Sequence, residues 1–131
     1  MFNNKTMYKD LEGRLTRQVI DRLNADAHVR VVSSGGDAVI TGEIINVSRR
    51  TLRETTTDEP ATVQLVVTAT YSFYDEIARR YIRDEIRVAS NRSSGTAGLY
   101  EPSRGESVQA AEEGAMRALA QEIVWGTVAA W

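Results

Sequence analysis

Val63-Gln64-Leu65-Val66-Val67-Thr68-Ala69-Thr70-Tyr71-Ser72-Phe73-Tyr74 is the stretch that decides the fold. Val63, Leu65, Val67, Ala69, Tyr71 and Phe73 alternate with Gln64, Thr68, Thr70 and Ser72. Successive side chains of a strand point to opposite faces, so this period of two predicts a strand with one buried and one wet face. Upstream, Asp37 to Val47 reads as a second strand, with Ala38, Ile40, Gly42 and Ile44 on one face. A glycine inside a strand marks a bulge or the close approach of another backbone, and Gly42 is such a position. Between the two strands, Arg49 to Pro60 is polar and threonine-rich, a connecting loop or frayed strand ends. Val29-Arg30-Val31-Val32 is a short β-branched run that stops at the turn signal Ser33-Ser34-Gly35-Gly36.

Both ends of the chain change period from two to four. Met7, Leu11, Leu15, Val19 and Leu23, with Ile20 beside them, trace one helical face from about Met7 to Asn24. Gly13 costs that helix about 1 kcal/mol and marks either a close contact or nothing. From Glu106 to about Thr127, Val108, Ala111, Ala115, Leu119 and Ile123 line a second helix, flanked by Met116, Ala120 and Val124. Ser103 or Ser107 is placed to cap its start, and Glu112 and Glu113 sit near the positive end of its dipole. Asn91 to Arg104, which carries Gly95, Gly98, Pro102 and several serines, is a loop. The segment between Ile77 and Ala89 fits two patterns. Ile77, Ala78, Tyr81, Ile82, Glu85, Ile86 and Ala89 make a helical stripe, whereas Ile82, Ile86 and Val88 also fit a strand. The element order predicts an α+β fold in one domain spanning residues 1–131: two helices on one face of a three- or four-stranded, mostly antiparallel sheet.

Composition narrows the function by exclusion. A length of 131 residues suits a single core. A net charge of −2 does not point to a general nucleic-acid binder. Without cysteine there are no disulfides, thiolate metal sites or cysteine nucleophiles. No run approaches the ~18–20 apolar residues of a membrane-spanning helix. Met1-Phe2-Asn3-Asn4 has neither the apolar core nor the cleavage site of a signal peptide. The only histidine, His28, is read as structural or solvated. Asp75-Glu76, Asp84-Glu85 and Glu112-Glu113 are sequence neighbours whose side chains diverge, so none forms an acid–base pair. Ser33-Ser34-Gly35-Gly36 lacks the Gly-Lys-Ser/Thr ending of a nucleotide loop. No catalytic residue, metal ligand or cofactor is therefore expected. Lys5 and Lys9 are the only lysines, so the positive charge is nearly all arginine. That bias reflects either phosphate recognition or genomic base composition. Arg79, Arg83 and Arg87 would share a strand face and meet an anion, or form a solvated outer face partly neutralised by Glu85.

The order of motifs along the chain resembles the LptE family. Phe2-Asn3-Asn4 with Leu11-Glu12 and Leu15-Thr16 is similar to the family's Phe-x-Asn stretch and its Leu-Glu, Leu-Thr helix, and Val31-Val32 to its short Val-Val strand. Gly36-Asp37-Ala38-Val39-Ile40-Thr41-Gly42-Glu43-Ile44 resembles its Ala-Asp-Ala-Val-Leu-x-Gly-x-Ile strand. The strand ending Tyr71-Ser72-Phe73-Tyr74-Asp75, the closing helix with Glu106, Ala110, Ala111 and Ala118-Leu119-Ala120, and a final Trp131 follow in family order. Two departures stand out. Glu76-Ile77-Ala78-Arg79 replaces the family's Thr-Gly-Lys hairpin, and the family's lipoprotein signal, lipidated cysteine and first strand are expected upstream of this sequence. The resemblance favours a strand for Tyr81 to Ser90. It implies a non-enzymatic, lipid-anchored protein of the outer membrane, on its periplasmic side. Such a protein is lodged in an LptD-like β-barrel and assists passage of lipopolysaccharide. The family's lipopolysaccharide-contacting basic residues match no position here, which leaves Arg79, Arg83 and Arg87 as candidates for an anionic glycolipid or the barrel wall. An alternative is an envelope adaptor or secretion-pore domain of the kind found in CsgG or the amino-terminal part of TolB, which share the helix–strand start and a glycine at the Gly42 position.

Overall fold

The computed structural model describes residues 2–6, 10–26, 31–32, 35–54, 60–92, 97–101 and 108–130. Chain order is β1 (Phe2–Asn4), α1 (Leu11–Asp26), β2 (Ala38–Glu54), β3 (Pro60–Asp75), β4 (Arg80–Ala89), β5 (Leu99–Tyr100) and α2 (Val108–Ala130). The sheet runs β1-β2-β3-β4, with β5 pairing β3 beyond the end of β4. All pairs are antiparallel except β1 with β2, which α1 joins as a parallel crossover. This is the expected α+β architecture with a fifth, two-residue strand. The expectations placed on Met7, His28, Val29, Arg30, Ser33, Ser34, Ser103, Ser107 and Trp131 fall outside the described residues. Val31 and Val32 belong to no strand.

The alternating stretch of β3 is the floor of the core. Val63, Leu65, Val67, Ala69, Tyr71 and Phe73 are all buried. Leu11, Leu15, Val19 and Leu23 of α1 join most of them in one cluster with Ala111, Ala115, Met116, Leu119, Ala120, Ile123 and Val124 of α2. Both helices therefore cover the same sheet face, because only there do the period-two and period-four stripes offer apolar surface to each other. The other face is wet from Thr68 to Tyr74 only. Gln64 and Val66, also on that side, are buried, and the Gln64 amide donates to the Ala97 carbonyl at 3.0 Å.

Three points that the sequence leaves open have physical answers in the fold. Of Arg49 to Pro60, residues 49–54 extend β2 and Pro60 opens β3; pairing of the backbone sustains a polar strand without an apolar stripe. Gly13 is exposed with open space around it, so it marks no close contact. The segment with two candidate patterns is strand β4, and its helical appearance comes from bulges. Residues 80–86 of β4 stand opposite residues 71–75 of β3, with register shifts on both sides of the Phe73–Arg83 pair. The two extra residues stretch a period of two toward four. Glu85 takes a positive φ of 49° at the bulge. Ser72 pins it there: its Oγ accepts from the Glu85 N–H at 3.0 Å and donates to Asp84 at 3.4 Å.

Candidate functional site

The bulges decide where the three candidate arginines go, and they separate them. Arg87 pairs with Thr70 and is exposed on the open sheet face. Arg83 pairs with Phe73 on the helix side, where its Nε–H donates to the Gly126 carbonyl at 3.4 Å. It lies partly buried near the C-terminal end of α2, where a cation is favoured by the helix dipole. Arg79 is exposed in the β3–β4 turn, at a φ of 55°. The shared stripe expected for an unbroken strand is thus not formed. Residues four apart share a face only in an unbroken strand; a bulge inverts the face and leaves no local signal in residue type.

Around Arg83 the packing is tight. A Cβ added to Gly126 would overlap the Tyr71 hydroxyl, so the glycine is what lets α2 sit down on β3. Burial pushes the Tyr71 hydroxyl above its usual pKa; Arg83 pulls it down and Glu122 pushes it up. At the opposite end of the helix pair, Arg14 bridges Glu112 at 2.7 Å and Glu113 at 2.9 Å. Gln18 donates to Glu113 at 2.8 Å. Hydrogen bonds from Arg14 and then Gln18 hold the Glu113 carboxyl below its usual range. Glu112-Glu113, adjacent and divergent in sequence, converge on one guanidinium from the neighbouring helix. This is a clamp between helices, not an acid–base pair.

The open sheet face bears a shallow depression lined by Asn3, Thr41, Glu43, Thr70, Ser72 and Glu85. Its walls are short polar side chains and two carboxylates, which suits solvation better than an apolar or anionic ligand. Among the described residues no three His, Asp or Glu side chains gather to hold a metal. No helix of the described residues is long and apolar enough to cross a membrane.

The residues that carried the family resemblance are brought together instead as a structural staple. Phe2 is buried and stands opposite Gly42. A side chain at Gly42 would overlap the Phe2 ring and approach the Thr70 carbonyl to 2.5 Å. The Phe2 N–H donates to Thr16 Oγ1 at 3.3 Å, and Thr16 in turn donates to the Glu12 carbonyl at 2.7 Å. The Asn4 amide donates to the Glu12 carboxylate at 3.0 Å, and its Oδ1 accepts from Thr6 N–H and hydroxyl. Phe-x-Asn, Leu-Glu, Leu-Thr and the strand glycine are therefore one device that fixes β1 to α1 and the sheet edge.

A fold of this order, with that staple, defines an α+β class in which two helices cover one face of a mostly antiparallel sheet. The sequence matches the LptE family, described as lipopolysaccharide-assembly, over residues 1–126, and the chain belongs to that family. The family is non-enzymatic. Two crystal structures share the fold, each with a TM-score of 0.50 and 98% of this chain covered. One is the rare lipoprotein B from Shewanella oneidensis, 20% identical and 91% covered. The other is a minor lipoprotein from Acinetobacter baumannii, 17% identical and 88% covered. No curated protein matches significantly.

Proposed function

We propose that this chain is the lipid-anchored component of a lipopolysaccharide translocon, seated at the periplasmic side of the outer membrane within an LptD-like β-barrel. There it helps the barrel to assemble and lipopolysaccharide to pass outward, by occupying space and binding. The observation that carries this reading is the family match across residues 1–126, on a fold whose helices cover only one sheet face. Of the candidate anion contacts, Arg79 and Arg87 are exposed and able to reach a phosphate directly, whereas Arg83 would first have to release the Gly126 carbonyl. The lipidated protein, tagged and expressed in its own host, should co-purify with a large outer-membrane barrel, and its depletion should reduce lipopolysaccharide at the cell surface. Recovery of no barrel together with unchanged surface lipopolysaccharide would favour the envelope-adaptor alternative.

A further inference from the structure

Among the described residues, six large hydrophobic side chains are exposed: Val32, Val39, Ile77, Tyr81, Trp125 and Val128. Single exposed hydrophobics are ordinary on any protein, but these six are not scattered. Val39 opens β2, Tyr81 opens β4 and Ile77 tops the turn joining β3 to β4, so all three lie at the same end of the sheet. Helix α2 runs alongside β3 in the same direction. Its Gly114 lies beside Gly98, which abuts the Leu65 carbonyl, and its Gly126 abuts Tyr71. Trp125 and Val128, one helical turn apart, are therefore brought to the Ile77 end. Val32 lies against Gly36, just before β2, and joins them.

The tip is built to project. Asp75 Oδ1 accepts from the Ile77 and Ala78 N–H groups at 2.9 and 3.0 Å, which fixes the turn and absorbs the Asp75 carboxylate. Ile77 is left 75% exposed, a large loss for an aliphatic side chain in water. Arg79 and Arg80 follow it, both exposed and neither in an ion pair among the described residues. Glu76 is the exposed carboxylate between them and Asp75. Tyr81 meets Tyr74 edge-on at 4.9 Å and stays exposed. An aliphatic tip, a Trp, a Tyr and adjacent arginines are the residue types that favour the boundary between lipid headgroups and acyl chains.

We infer that this end of the molecule rests on a lipid surface, with Ile77 and Trp125 at the acyl boundary and Arg79 and Arg80 against lipid phosphates. Strand β1 supports the orientation. It runs parallel to β2 with Phe2 opposite Gly42, so chain entering β1 arrives from the Ile77 end. The orientation rests on the lipid-anchored reading above: an anchor preceding β1 and the apolar end would then face the same bilayer.

Trp125 is a built-in reporter once Trp131 is replaced by Phe. Vesicles of phosphatidylcholine, alone or with an equal part of phosphatidylglycerol, should shift Trp125 emission to the blue, and brominated acyl chains should quench it. Ile77→Asp, on a side chain that packs against little, should keep the circular dichroism spectrum and weaken partitioning by at least roughly tenfold. Arg79→Gln with Arg80→Gln should remove the preference for phosphatidylglycerol while leaving binding to phosphatidylcholine in place. Tethering the chain by an N-terminal histidine tag to a nickel-chelating lipid keeps the quenching decisive where free partitioning is weak. Unquenched Trp125 on tethered vesicles, or quenching unchanged by Ile77→Asp, overturns the inference. So does self-association that buries Trp125 without lipid, since a second copy then covers the patch. These vesicles hold neither barrel nor lipopolysaccharide, so failure here leaves the translocon reading to the co-purification, and the reverse.

Discussion

Replacing Gly42 by alanine adds one methyl group at the place where β1, β2 and β3 come closest. That Cβ would overlap the Phe2 ring and lie 2.5 Å from the Thr70 carbonyl oxygen. The carbonyl belongs to the central strand and yields little, so the ring is what moves. Phe2 is 3% exposed, and returning a buried Phe to water costs about 1.5–3 kcal/mol. Its departure also puts at risk the bonds from Phe2 N–H to Thr16 and from Lys5 N–H to the Ile44 carbonyl, worth about 0.5–1.5 kcal/mol each. Gly42→Ala should therefore destabilise the chain by about 2–4 kcal/mol. Phe2→Ala, by emptying the same site, should cost about 3–5 kcal/mol. The two share one cause, so the double variant should lie at least about 1 kcal/mol above the sum of the singles in stability. Urea unfolding followed by circular dichroism measures all three, read as midpoint shifts at constant slope. A Gly42→Ala cost below about 0.5 kcal/mol, or strict additivity with Phe2→Ala, would refute the staple.

Leu15→Ala and Leu119→Ala, at fully buried positions on the two helices, should each cost roughly 2–5 kcal/mol, and an unchanged calorimetric midpoint would contradict helix-on-sheet packing. Arg14→Ala should cost about 1–2 kcal/mol, since its side chain is 30% exposed and solvent weakens the pair. The Glu113 carboxyl is held low in the folded chain, so its contribution is present above the unfolded value of about 4.3 and is lost as pH falls through the folded value. Arg14→Ala should accordingly make stability less steeply pH-dependent below about pH 4 in acid titrations of the melting temperature. Arg79→Gln with Arg87→Gln should leave the melting temperature unchanged and weaken lipopolysaccharide binding roughly tenfold. Arg83→Gln should instead lower the melting temperature, because its bond is to Gly126.

The elements with strict periods were legible in the sequence. β3 alternates without a break, and both helices repeat their apolar residues every three or four positions, so the buried sets follow from spacing alone. Short strands carry no period. β1 has three residues and β5 two, and neither length distinguishes a strand from loop. β4 is the instructive case, because two bulges give a real strand the apolar spacing of a helix, and bulges depend on the partner strand. The same bulges scatter the arginines over a turn, the helix side and the open face. The exposed apolar end was illegible for another reason: Val32, Val39, Ile77, Tyr81, Trp125 and Val128 span nearly the whole chain and meet only in the fold.

That contrast explains why the family could be read from residues while the exposed apolar end could not. Phe2, Asn4, Glu12, Thr16 and Gly42 match the family pattern, and each is committed to holding β1 against α1 and β2. A buried ring over a glycine and a short chain of hydrogen bonds admit few substitutes, since every alternative leaves a void, an overlap or an unpaired polar group. The β3–β4 turn has no such obligation. Ile77 and Arg79 pack against nothing that fixes their identity, while Asp75 alone supplies the side-chain bonds that close the turn. Its departure from the family's Thr-Gly-Lys therefore disturbs no packing, at the strain of a left-handed Arg79, and changes what this end presents to its surroundings. In a protein that works by contact, the fold-holding residues identify the scaffold, and the residues free to vary carry what it touches.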